Sequence, residues 1–206
     1  PTDEQHHTIS ELAKEIYCLK ARWDTGNEVS THFKSPWLLL DTIPNLSGSV
    51  GSRLSTIEAF EVSEEARLVE AYEKLNDEVY EMYGFKHKSR ENIEKSMKGC
   101  APELVWPQME RKNGEQKRQE HVWRLLSYAV KEVVAEDEDG IVPLSSECNE
   151  DSFEVRLRLK LESFFPDMDP SQLEIDIVNE LKKKTKGYRK AASLNEWLND
   201  CFFAYH

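Results

Sequence analysis

Ser63-Glu-Glu-Ala-Arg-Leu-Val-Glu-Ala-Tyr-Glu-Lys-Leu-Asn-Asp-Glu-Val-Tyr-Glu-Met-Tyr-Gly84 decides the fold class. Ala66, Val69, Tyr72, Leu75, Val79, Met82 and Tyr83 recur at the three- and four-residue intervals that place side chains on one face of an α-helix. Ser63 followed by Glu64 and Glu65 reads as an N-terminal signature, with carboxylates at the positive end of the helix dipole. Gly84 supplies a residue that can turn left-handed and stop the helix. A further helical stretch precedes it from about Ser52 to Phe60.

The same period recurs on both sides. Ile9, Leu12, Ala13, Ile16 and Leu19 define a first helix, capped by Thr8 or Ser10 and ended near Trp23 by Asp24-Thr25-Gly26-Asn27. Residues 24–52 then hold prolines, glycines and many Ser/Thr, with Phe33, Trp37, Leu38, Leu39 and Leu40 needing burial. They predict an ordered but irregular connection. Ser89 caps a short helix that Gly99 ends, and residues 100–118 read as a loop. Val122, Leu125, Leu126, Ala129, Val130 and Val133 mark a long helix. It runs into Glu136-Asp-Glu-Asp-Gly140, where four acids oppose the negative dipole end and predict fraying. Asp151 or Ser152 starts a helix through Phe164. Asp169-Pro170 opens one buried through Leu173, Ile177 and Leu181, and Ser193 opens the last.

No strand alternation of useful length occurs. The prediction is a mainly α, irregular multi-helix bundle of about seven helices with a long ordered connection near residues 24–52. The chain reads as one helical module over 1–206, or as two subdomains (1–99 and 115–206) joined by a loop at 100–114. The 206 residues are 39% apolar, enough for a core, and no apolar run approaches the roughly 18 residues a membrane helix needs. Cys18, Cys100, Cys148 and Cys201 are far apart and fit reduced, mostly buried thiols of a cytoplasmic protein, not a zinc site or a disulfide framework.

The chemistry-bearing motifs are few. Gly48-Ser-Val-Gly51 lacks the lysine and the strand-loop-helix setting of a phosphate cradle and reads as a plain turn. His6 and His7 read as solvated, and His32 and His121 as packed histidines. No residue set is assigned to catalysis, cofactor binding or a metal. The chain carries 27 Lys+Arg against 39 Asp+Glu, a net charge of -12. That excludes a surface basic all over, yet Lys182, Lys183, Lys184, Lys186, Arg189 and Lys190 form a stretch without a single acid. Cations at the end of the 170–184 helix complement its dipole, which is a sufficient structural reason for three of them. The other reading is contact with DNA phosphates, without base specificity.

Several stretches together carry a resemblance. They are Ile9-Ser-Glu-Leu-Ala through Ala21-Arg-Trp-Asp24, Thr31-His-Phe-Lys-Ser-Pro-Trp-Leu-Leu39, Leu75-Asn-Asp-Glu-Val-Tyr-Glu-Met-Tyr-Gly84-Phe85, Leu126-Ser-Tyr-Ala-Val130, and Ser193-Leu-Asn-Glu-Trp through Phe202-Phe-Ala-Tyr-His206. In order and spacing the set resembles the C-terminal helical region of the large adenine-specific DNA methyltransferases of phage-exclusion (BREX, Pgl-type) systems and related type IIG enzymes. Arg22 stands where that family has an acid, and Lys131-Glu-Val-Val replaces its glycine-containing run.

The resemblance implies a non-catalytic helical module, a fragment or stand-alone relative, of such a restriction-modification enzyme. In that family the Asn-Pro-Pro-Tyr motif and the S-adenosylmethionine site lie upstream of these segments, so S-adenosylmethionine would belong to the parent enzyme. DNA would be engaged through the parent, which flips an adenine and methylates it. The alternative is an acidic protein-interaction module that recruits another phage-defence protein.

Overall fold

The computed structural model describes residues 2–97, 109, 111–144 and 150–205. The described residues are mainly helical and contain no strand, as the periodicity predicts. They divide into two compact units. The first takes residues up to Phe33 and the described residues from Ala59 through Met109. The second takes Lys34–Glu58 and the described residues from Arg111 onward.

In the first unit, α1 (Asp3–Asp24) starts earlier than its apolar stripe suggests. Thr2 and Gln5 form a capping box, each side chain bonding the other's backbone N–H, while Thr8 sits inside the helix and donates to the Glu4 carbonyl. Ile16, Leu19 and Trp23 are its buried residues. The Trp23 ring stacks on Phe60 with centroids 5.9 Å apart.

Helix α2 (Val50–Met82) is a single element of 33 residues, which corrects the expected start at Ser63. Ser63 lies within it, and Ser49 accepts the Ser52 N–H at the true start. The buried face also differs. It runs through Val50, Leu54, Ile57, Glu61, Glu64, Leu68 and Ala71, whereas Ala66 and Val69 are exposed. Those intervals alternate four and three, a seam of 3.5-residue period in which two positions are acids.

Glu64 is held by Arg22 at 2.7 Å and Arg67 at 3.2 Å, and Arg67 also reaches Glu15 at 3.1 Å. At the far end Gly84 turns left-handed (φ +64°). The Phe85 N–H bonds to the Tyr80 carbonyl and the Gly84 N–H to that of Glu81, with the Phe85 ring edge-on to Tyr80. This is the Schellman stop that Gly84 predicts. Next, α3 (His87–Ser96) buries no residue and follows Lys86, with Ser89 inside the helix instead of capping it. Gly99 lies outside the described residues.

In the second unit the 34–49 segment is a series of turns around a 3-10 turn at Trp37–Leu39. Trp37, Leu38, Leu40 and Ile43 are buried, and Phe33 and Leu39 are half-buried. Arg53 ties this segment down, donating to the Leu38 carbonyl at 3.0 Å while its guanidinium lies 4.6 Å above the Phe165 ring.

Helix α4 (Gly114–Ala135) is the central element. An Asn113–Gln116 capping box starts it four residues before the expected loop ends, and it packs against α5, α6 and the 3-10 turn. Two of the acids after it are engaged. Asp137 accepts the Asp139 and Ile141 N–H groups and pairs with Arg156, and Glu136 pairs with Lys160. Bonding by these carboxylates holds the turn despite the opposing dipole. Helices α5 (Phe153–Phe164) and α6 (Pro170–Leu181) begin at Ser152 and Asp169, and both caps accept a backbone N–H as expected. Ser193 caps the last helical stretch. It runs from α7 (Leu194–Glu196) through a π-helical turn at Trp197–Cys201 into α8 (Phe202–Tyr205).

Candidate functional site

The stretch from Lys182 to Lys190 joins α6 to α7, and all six of its cations are exposed. Lys182 is the C-cap of α6, where a positive charge complements the helix end. Lys183 pairs with Glu180 at 2.6 Å. Thr185 turns inward and is buried, Gly187 adopts a left-handed φ of +94°, and the Tyr188 N–H closes a turn on the Thr185 carbonyl at 3.2 Å. The Ala191 N–H then returns to the Leu181 carbonyl at 3.2 Å, so both ends of the loop meet.

Side chains from outside the loop fix its backbone. From α4, Gln116 donates to the Lys186 carbonyl at 2.9 Å, and Gln119 reaches the Glu180 and Lys183 carbonyls at 3.5 and 3.4 Å. Gln116 lies in the first turn of α4, so the positive end of that helix stands beside Lys186. From the C-terminal stretch, the Asp200 carbonyl accepts the Arg189 guanidinium at 3.0 Å, and the Cys201 thiol donates to the Lys190 carbonyl at 3.8 Å.

Beneath the loop lies a buried polar and aromatic cluster. Glu120 accepts the Tyr188 hydroxyl, the Tyr205 hydroxyl at 3.2 Å and Arg124 Nε at 2.8 Å. Burial alone would raise its carboxyl, but Arg124 and the Tyr188 hydroxyl outweigh that and hold it below the usual range. The same bond and burial push the Tyr188 phenol far up, so the pair stays neutral phenol and carboxylate. Trp123 meets Tyr188, Trp197 and Tyr205 edge-on at 5.4, 5.8 and 5.0 Å. Edge contacts of this kind contribute about 0.5–1.5 kcal/mol each beyond burial. The Tyr188 contact holds the loop on α4, and those of Trp197 and Tyr205 hold the C-terminal stretch there.

Sequence reasoning locates the six cations but misses Gln116, Gln119, Glu120 and Tyr188, which hold them. A signal was present for Gln119: it continues the apolar stripe of α4 one turn before Val122, and a polar residue on such a stripe needs a partner.

The other singled-out residues are dispersed. His6 and His7 are exposed. His32, expected to be packed, is exposed as well, because residues 27–33 form surface turns. His121 is buried beside Trp37, and burial lowers its pKa to about 3, leaving it neutral. Cys18 is exposed and Cys201 buried, both free, while Cys100 and Cys148 lie outside the described residues. Among the described residues no group of acids, His and Cys is arranged to hold a metal ion, and no helix is long and apolar enough to cross a membrane. No family model, curated protein or solved structure matches the chain.

Proposed function

We propose that this chain is a non-catalytic helical module of an adenine-specific DNA methyltransferase of the phage-exclusion type, and that its 182–190 loop rests on the phosphate backbone of DNA. The observation that carries the phosphate contact is the combination of six exposed cations with a loop backbone fixed by Gln116, Gln119 and the Asp200 carbonyl. A fixed loop keeps its charges together without the ordering cost that a flexible basic tail meets on binding. The methyltransferase setting rests on the ordered motifs from Ile9 to the C-terminal aromatic run. S-adenosylmethionine and the methyl transfer belong, in this reading, to the parent enzyme. A second reading, an acidic surface that recruits a basic protein, draws on residues 1–33 and 59–110, which carry a net -8.

Fluorescence anisotropy of the chain with a DNA duplex over a range of salt tests the phosphate contact. The wild-type affinity should fall as salt rises. Changing Lys182, Lys184, Lys186 and Lys190 together to Gln should weaken binding and flatten the log-log salt slope by about 0.9 per lost phosphate contact. Absence of binding to duplex and single strand alike at low salt, or an unchanged slope in the variant, rejects the loop as a DNA contact and leaves the protein-recruiting reading.

A further inference from the structure

A chain of aromatic rings runs from the centre of the second unit to its surface next to the basic loop. Trp123 and Trp197 are buried and meet edge-on at 5.8 Å. Trp197 meets Phe202 at 5.6 Å, and Phe202 meets Phe203 at 5.3 Å. The last ring is 79% exposed, the most exposed aromatic ring among those of the described residues with large apolar exposure. Each ring is therefore braced by the one before it, and Phe203 stands as a supported flat face in solvent.

Its position relative to the cations is fixed by two bonds. Arg189 is bound to the Asp200 carbonyl, and the Lys190 carbonyl accepts the Cys201 thiol. Asp200 and Phe203 are three residues apart on the same helical stretch, so the bond to the Asp200 carbonyl holds Arg189 within about one turn of Phe203 along the backbone. An apolar protein segment would match the ring but not the lysines beside it, and a folded duplex would match the lysines while keeping its base faces stacked away from the ring. A strand with unpaired bases offers both a run of phosphates and free π-faces.

We infer that Phe203 is a stacking platform for an unpaired base of a nucleic-acid strand whose phosphates follow Lys182 to Lys190. The inference rests on the phosphate reading of the loop and adds its substrate class, single-stranded over duplex. Removal of one aromatic platform weakens single-strand binding by about 5- to 150-fold.

The test titrates the full chain with a short oligothymidylate, an oligouridylate of the same length, and a duplex. Phe203→Ala should weaken single-strand binding by about 5-fold or more with its salt slope unchanged. It should leave duplex binding unchanged, and Phe203→Trp should restore single-strand binding. A preference between the two oligonucleotides assigns the strand as DNA or RNA. The inference is overturned if Phe203→Ala binds single strands as the wild type does, or loses single-strand and duplex affinity equally. Those results leave the loop's phosphate contact standing, whereas a wild-type chain that binds neither strand nor duplex removes both.

Discussion

Two neighbouring residues on α4, Glu120 and His121, are buried with opposite chemistry, and both make the protein sensitive to acid. Glu120 is kept charged by Arg124 and two tyrosine hydroxyls, so its contribution is complete above the carboxylate range and is lost as pH falls through it. His121 is kept neutral by burial. Its folded pKa is about 3 against an ordinary 6.5, so the folded state binds fewer protons than the unfolded state between those values. Its contribution is complete above about pH 6.5 and falls by about 1.4 kcal/mol per pH unit below it. The histidine therefore acts at milder acidity than Glu120. Chemical denaturation should show the wild type losing about 2 kcal/mol between pH 7 and pH 5, and His121→Gln losing much less over that interval. Equal losses would mean that His121 is protonated in the folded protein at mild acidity.

At the level of elements, α2 shows what a pattern of apolar residues reveals and what it hides. Its stop was legible, because Gly84 and Phe85 act on residues within the same turn. The caps at Ser152, Asp169 and Ser193 were legible for the same reason, each accepting a backbone N–H three residues ahead. Its start and its buried face do not follow the apolar pattern. Glu61 and Glu64 occupy the seam, and an acid there makes sense only once Arg22 of α1 is known to face it.

The energetics of that pair are asymmetric. Arg22 and Arg67 are partly exposed and can be hydrated if Glu64 is replaced, whereas Glu64 at 3% exposure cannot be hydrated if Arg22 is lost. Glu64→Leu should therefore leave the melting temperature unchanged or raise it. Arg22→Ala should destabilise by about 1–3 kcal/mol, the cost of a buried acceptor left short of a partner. Thermal unfolding of the two variants checks the order, and a Glu64→Leu variant less stable than Arg22→Ala would reverse the assignment.

For the whole molecule, burial is unevenly distributed. Helix α4 buries eleven residues and α3 buries none. Amide hydrogen exchange should find the α4 amides opening only with global unfolding and the α3 amides opening locally, near the low end of the free-energy range. Equal protection in the two helices would contradict that distribution. The helical class was legible because the 3.6-residue period recurs along the chain, and so were the six cations of the loop. What supports those cations was not, since Gln116, Gln119 and Glu120 on α4 reach them only through tertiary packing.

The π-helical turn at Trp197–Cys201 has a consequence for everything that follows it. The Phe202 N–H bonds to the Trp197 carbonyl five residues back instead of four. One surplus residue in a helix rotates all later side chains by about 100° relative to an uninterrupted α-helix. The compass bearing of Phe202, Phe203 and Tyr205 is thus set by a count of residues in that turn. A one-residue deletion there would swing the final rings to a new quarter of the helix while leaving every one of them in the chain.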